Sequence, residues 1–125
     1  MNSTEFSFKS RFKSFRFAIK GLSSLLKNEH NSRIHLIAAI ISIGMGIMLK
    51  LNCSEWALLI IVIAIVFIAE LINTSLETLA DLIDPEWNKM IMMAKDYSAA
   101  AVLISAIVAL IVGCLIMIPK LIKLF

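Results

Sequence analysis

The stretch WALLIIVIAIVFIAELINTSLETLADLIDP, residues 56–85, decides the fold. From Trp56 to Ala69 it carries no polar side chain beyond the Trp indole. The apolar pattern then runs on through Glu70, Asn73, Thr74 and Glu77 to about Ile83. A run of this length and apolarity spans a bilayer as a helix, and Trp56 stands where an aromatic anchors the membrane interface. Asp84-Pro85 ends it, because the residue before proline is pushed out of helical conformation and proline itself suits the first turn of a new helix. Glu70, Asn73, Glu77 and Asp81 are spaced 3, 4 and 4 residues apart, so they share a sector of roughly 80° on one helix face.

Depth follows from the helical rise. Glu70 lies fourteen residues beyond Trp56, about 21 Å into a hydrocarbon layer of about 30 Å, whereas Glu77 lies about 31 Å along, at the boundary. An ionisable group at the depth of Glu70 costs at least a few kcal/mol, which marks it as a candidate functional residue. The plainer reading is that Glu70 and Asn73 are hydrogen-bonding glue between helices. Four polar residues on one face, with Glu29, His35, Lys95 and Asp96 near the same membrane surface, favour function.

Two further spans flank this one. Residues 34–51 form the first, interrupted near its start by His35, with Ala38, Ser42 and Gly46 as a small-residue stripe suited to close helix approach. Residues 98–118 form the third, opening on Ser98-Ala99-Ala100-Ala101 and expected to end at Pro119-Lys120. Residues 85–96 read as a polar, Met-rich connector. Before the first span, about residues 6–28 read as an amphipathic surface helix. Phe12, Phe15, Ile19, Leu22 and Leu26 fall on one face, and Lys9, Lys13, Arg16, Lys20 and Lys27 gather on an adjoining one. The expected fold is an all-α membrane protein, one domain over residues 1–125, with this helix and three transmembrane helices.

Composition agrees with that class. With 60% hydrophobic residues and a mean hydropathy of +0.91, the chain is too apolar for an ordinary soluble domain. Three helices enclose little interior, so self-association is expected. Seven of the twelve Lys and Arg residues fall at or before Arg33, which puts the N-terminus and the 83–97 connector on the cytoplasmic side. Lys120 and Lys123 then face outward, a minor departure from that rule. No apolar run follows the basic N-terminus within thirty residues, so no cleaved signal is expected. Cys53 and Cys114 lack CxxC spacing and read as small packing residues. No phosphate-binding loop, protein-kinase loop, HExxH motif or nucleic-acid-binding pattern is present.

Taken together, these residues resemble a known family, the small prokaryotic diacylglycerol kinases with the related undecaprenol kinases. The likeness is carried by Asn28-Glu29, by the E-x2-N-x3-E-x3-D stripe from Glu70 to Asp81, by Pro85-Glu86-Trp87-Asn88 and by Ala94-Lys95-Asp96. It implies a homotrimeric bundle in the bacterial cytoplasmic (inner) membrane, multi-pass with its N-terminus cytoplasmic. The implied reaction moves the γ-phosphoryl of ATP, with Mg²⁺ as cofactor, onto the hydroxyl of a membrane lipid. By that likeness Glu70 is the catalytic base, and Glu29 and Glu77 hold the metal. Phe17, Glu29, Glu77, Glu86, Trp87, Asn88, Lys95 and Asp96 line the ATP site, and Glu70, Asn73, Ile19 and His35 meet the lipid. Phosphoryl transfer needs mainly positioning and charge neutralisation, which such a set supplies.

His35, Phe17 and Ile19 stand where the better-known diacylglycerol kinases tend to have Glu, Tyr and Trp, and Arg33-Ile34-His35 looks more like the undecaprenol branch. Diacylglycerol is the expected acceptor, with undecaprenol as the alternative. A proton-coupled transporter subunit built around Glu70 is a further alternative, but it needs polar access from both membrane faces. The outer halves of the spans offer only Ser42 and Ser105. A non-catalytic assembly subunit would not need seven polar groups around one surface.

Overall fold

The computed structural model describes residues 7–83 and 88–125. Among the described residues the order is α1 (Phe8–Asn28), α2 (His30–Met48), α3 (Cys53–Ile83) and α4 (Lys89–Ile122). The last three are long and apolar enough to cross a membrane. The all-α expectation, a surface-type helix followed by three spans, agrees with this architecture. Phe12, Phe15, Ile19 and Leu22 of α1 are exposed, so this apolar face can lie in a headgroup boundary, while Leu25 alone is buried.

α3 and α4 form the main antiparallel pair, and α2 packs against both. Their core lies at the end away from Glu70, where Leu51, Leu59, Ile116 and Met117 are buried among Met45, Leu49, Trp56, Ile63 and Val112. At the other end the helices are joined by polar contacts. One end of the bundle is therefore packed on an apolar cluster with the Glu55–Lys120 ion pair at its rim, and the other is held by groups able to do chemistry.

α4 is longer at both ends than the expected 98–118 segment. Asn88 caps it by accepting a hydrogen bond from the Met90 N–H (2.9 Å), so the Met-rich segment from Lys89 to Asp96 is the first turns of a helix, not a connector. Pro119 does not end the helix, which continues to Ile122. Proline removes one N–H bond, and here that loss falls in the last turn, where the helix is about to stop anyway.

The α2–α3 turn is tightly built. The Lys50 N–H donates to the Ile47 carbonyl (3.2 Å) and the Leu51 N–H to the Gly46 carbonyl (3.1 Å), a Schellman end with Lys50 in the left-handed region at φ 52°. Glycine is the usual occupant there, and another residue is strained by about 1–2 kcal/mol. Asn52 and Glu55 then cap α3 reciprocally. The Asn52 N–H donates to Glu55 Oε2 (2.8 Å), and the Glu55 N–H to Asn52 Oδ1 (3.0 Å). A Cβ on Gly46 would stand 2.9 Å from Cη2 of Trp56 and 3.0 Å from Cδ1 of Leu51. The small residue at 46 thus admits an indole, while Ala38 and Ser42 line a cavity, so the stripe does not serve close helix-on-helix approach within the chain.

Candidate active site

Glu29 is the only residue between α1 and α2. Its backbone is extended (φ −98°, ψ 119°), its N–H bonds back to Leu25, and its carboxylate makes no cap hydrogen bond at the start of α2. Arg33 closes the same corner by donating to the Lys27 carbonyl (2.9 Å). The break presents the Glu29 side chain to a groove of about 570 Å³ between α1 and α3, together with Ser24, Asn28, Thr74, Ser75 and Thr78.

The acidic face of α3 meets its neighbours one residue at a time. Glu70 is buried, at 3% exposure, and its Oε1 lies 3.2 Å from Nε2 of His35 on α2. The contact does not have hydrogen-bond geometry, so Oε1 has a close imidazole neighbour yet no hydrogen-bond partner. Asn73 Oδ1 lies 2.7 Å from the Ser98 hydroxyl, which is also 2.9 Å from the Lys95 carbonyl and has one proton to share between them. Asp81 pairs with Lys95 at 2.9 Å, and Glu77 is near enough for its charge to act on the same ammonium.

The structure thus brings Glu70 to His35, Asn73 to Ser98 and Asp81 to Lys95. Glu29 and Glu77 are partly exposed, Glu29 in the groove with Thr74 and Thr78 and Glu77 toward Lys95. Phe17 and Ile19 are exposed on α1, and the Lys20 ammonium lies 5.9 Å from the Phe17 ring centre. Asn88 is occupied as the α4 cap, and Asp96 is exposed. Glu86 and Trp87 lie outside the described residues.

Two serines at this end, Ser32 and Ser98, carry no functional signal in the sequence pattern. Among the described residues, the buried side-chain polar atoms without a hydrogen-bond partner are Ser32 Oγ, Glu70 Oε1 and Thr74 Oγ1. Ser32 lies midway between Glu29 and His35, and Thr74 one turn beyond Glu70. Buried polar groups in folded proteins are normally paired, so three unsatisfied atoms at one end mark a site built for a polar ligand. Ser98, hydrogen-bonded to Asn73, is visible in the sequence only as the start of a span. Below His35 an apolar cavity of about 220 Å³ opens between α2, α3 and α4, lined by Ala38, Ala39, Val66, Phe67 and Ala106 among others.

Mg²⁺ suits this donor set. Among the described residues no three His, Cys, Asp or Glu side chains gather into a metal cage. Mg²⁺ does not require one, since it binds through one or two carboxylates with phosphate oxygens and water completing its shell. Glu29, whose carboxylate makes no cap hydrogen bond, and Glu77 are such groups, and the unsatisfied Thr74 hydroxyl lines the same groove as Glu29.

Residues 16–117 match the family model for prokaryotic diacylglycerol kinase. The chain is 36% identical over 110 residues, 88% of its length and 89% of the relative's, to the undecaprenol kinase of Bacillus subtilis. It is 37% identical over 112 residues to a diacylglycerol kinase of Synechocystis, covering 89% of this chain and 64% of that one. With the diacylglycerol kinase of Escherichia coli it shares 32% identity over 101 residues, 81% of this chain and 83% of the relative.

Proposed function

The chain belongs to the prokaryotic diacylglycerol kinase family and is a multi-pass membrane lipid kinase, and on that premise we propose that it phosphorylates diacylglycerol at the expense of ATP. The observation that carries this reading is the buried Glu70 carboxylate, whose Oε1 faces His35 without a hydrogen bond, with an apolar cavity beside His35 and the unsatisfied Thr74 hydroxyl one turn on. A lipid alcohol has the matching form, one hydroxyl at the boundary with hydrocarbon below it.

In this account Glu70 accepts the proton of the lipid hydroxyl as its oxygen attacks the γ-phosphorus, and His35 orients the carboxylate. Asn73, fixed by Ser98, contacts the acceptor beside Glu70. Lys95, held by Asp81, lies toward the polar end of the bundle, where its charge offsets that of the transferred phosphoryl group. Glu29 and Glu77 hold Mg²⁺, which when bound neutralises phosphate charge. Phe17, Asn88 and Asp96 with Glu86 and Trp87 complete the ATP site by resemblance. The family likeness also supports a homotrimer, and Ile65, Ile68 and Ile72 with Ile104 and Val108 leave an apolar groove along α3 and α4. The basic N-terminal segment supports a cytoplasmic placement of the Glu70 end, in a bacterial inner membrane.

Undecaprenol is the second reading, favoured by His35 against Glu70 and by likeness along most of the Bacillus subtilis undecaprenol kinase. The test is chromatography of ³²P-labelled products from the purified chain with labelled ATP, Mg²⁺ and both lipids in parallel. Phosphatidic acid as the main product supports the first reading and undecaprenyl phosphate the second. No labelled lipid from either would defeat both.

A further inference from the structure

At the end of the bundle opposite Glu70, three lysines converge on one small pocket that the kinase chemistry does not use. The pocket, about 330 Å³, is lined by Met48, Leu49, Lys50, Lys120, Lys123 and Leu124. Cations at this end run against the N-terminal charge bias, so a partner for them is called for. Lys50 also holds its place in a left-handed backbone where glycine would be unstrained. A strained residue that lines a pocket points to a use for that residue there.

The charge balance leaves an excess. Glu55 is the acid nearest this pocket, and its Oε2 already accepts from the Asn52 N–H (2.8 Å) and pairs with Lys120 (3.0 Å). Lys120 is thereby fixed in position and Lys123 is near enough for its charge to act on the same carboxylate, so Glu55 is shared between them, while Lys50 makes no ion pair among the described residues. The plain alternative is that these lysines only complement the C-terminal dipoles of α2 and α4. That would explain cations near the helix ends, but not a lysine at the left-handed position, because a cation elsewhere in the last turn would do the same.

We propose that Lys50, Lys120 and Lys123 bind the phosphodiester headgroup of an anionic phospholipid in the leaflet at this end. The chemistry is charge complementarity at a membrane boundary. The phosphate meets the ammonium groups, and Met48, Leu49 and Leu124 receive the glycerol and upper chain. Such a lipid would cover the α2–α3 turn and the end of α4, beside the apolar core formed by Leu51, Ile116 and Met117.

Trp56, which packs on Gly46 beside Leu51, gives a local reporter. In full-length protein carrying Trp87→Phe, Trp56 fluorescence is read in phosphatidylcholine vesicles containing bromolipid of either the phosphatidylglycerol or the phosphatidylcholine type. Brominated phosphatidylglycerol should be enriched at Trp56 by at least about fivefold over its phosphatidylcholine counterpart, as expected for a few cations at an anionic headgroup. Lys50→Gly with Lys123→Gln should remove that enrichment. Lys50→Gly relieves the strained backbone, so an unchanged or higher melting temperature separates loss of binding from loss of fold. Equal quenching by both lipids, or enrichment that survives the two substitutions, would overturn the proposal. Inorganic phosphate abolishing the enrichment at matched ionic strength would also overturn it, in favour of a site for a soluble anion.

Discussion

Nε2 of His35 on α2 lies 3.2 Å from Oε1 of Glu70 on α3, and of the two side chains the histidine is the one that reaches the surface, at 23% exposed against 4%. The carboxylate at the bottom of the site is therefore approached past an imidazole. This relationship links helix packing to acceptor choice, because a neutral imidazole can donate and accept hydrogen bonds whereas an ionised carboxylate only accepts.

His35→Glu is expected to shift the ratio of kcat/KM for diacylglycerol over undecaprenol upward, because the mouth of the pocket loses its donor. Parallel kinetics on the two lipids measure it. An unchanged ratio would place selectivity in the faces of α1 and α2 instead.

Glu29→Ala and Glu77→Ala are each expected to raise the Mg²⁺ and ATP concentrations needed for half-maximal rate, because phosphate charge is left unneutralised. The lipid KM should change little. Mg²⁺ titrations that superimpose on the parent curve would remove these two residues from the metal site.

Replacing Phe15 and Ile19 by Ser takes apolar surface from the exposed face of α1. KM for lipid is expected to rise more than KM for ATP relative to the parent enzyme, because α1 no longer lies in the interface beside the lipid site. Spin labels along α1 reporting full water exposure in bilayers of the parent protein would contradict this arrangement.

Gly46→Ala should destabilise the bundle by about 1–3 kcal/mol, because the new methyl would meet the Trp56 ring. Trp56→Phe should recover part of the loss by withdrawing the ring edge. Thermal melts in detergent read both effects, and a Gly46→Ala variant as stable as the parent would show that the indole moves aside without cost.

Much of this is legible in the sequence because membrane helices announce themselves by length and apolarity, and because a 3-4-4 spacing fixes one helix face. The periodicity of residues 56–83 is enough by itself to set Glu70, Asn73, Glu77 and Asp81 side by side. Contacts between helices are not legible in that way. Whether His35 meets Glu70, or Ser98 meets Asn73, depends on how α2 and α4 are rotated and shifted against α3, which no single helix pattern encodes. The segment after Asn88 looks like a connector because it is polar, yet its Lys, Asp and Met residues are good or tolerable helix formers. Asn88 suits a ligand-binding site and a helix cap equally well by residue type, so its capping of α4 through Oδ1 is not legible in the sequence. Pro119 has the chemistry of a helix stop, but within a turn of the helix end that chemistry costs little.

The central claim is that the buried Glu70 takes the proton from the lipid hydroxyl. Glu70→Gln keeps the size of the side chain and removes its basicity, so kcat measured on whichever lipid the parent phosphorylates is the direct test. The account predicts a fall in kcat of at least about 10²-fold with ATP affinity nearly unchanged. A Glu70→Gln enzyme turning over at close to the parent rate would contradict it.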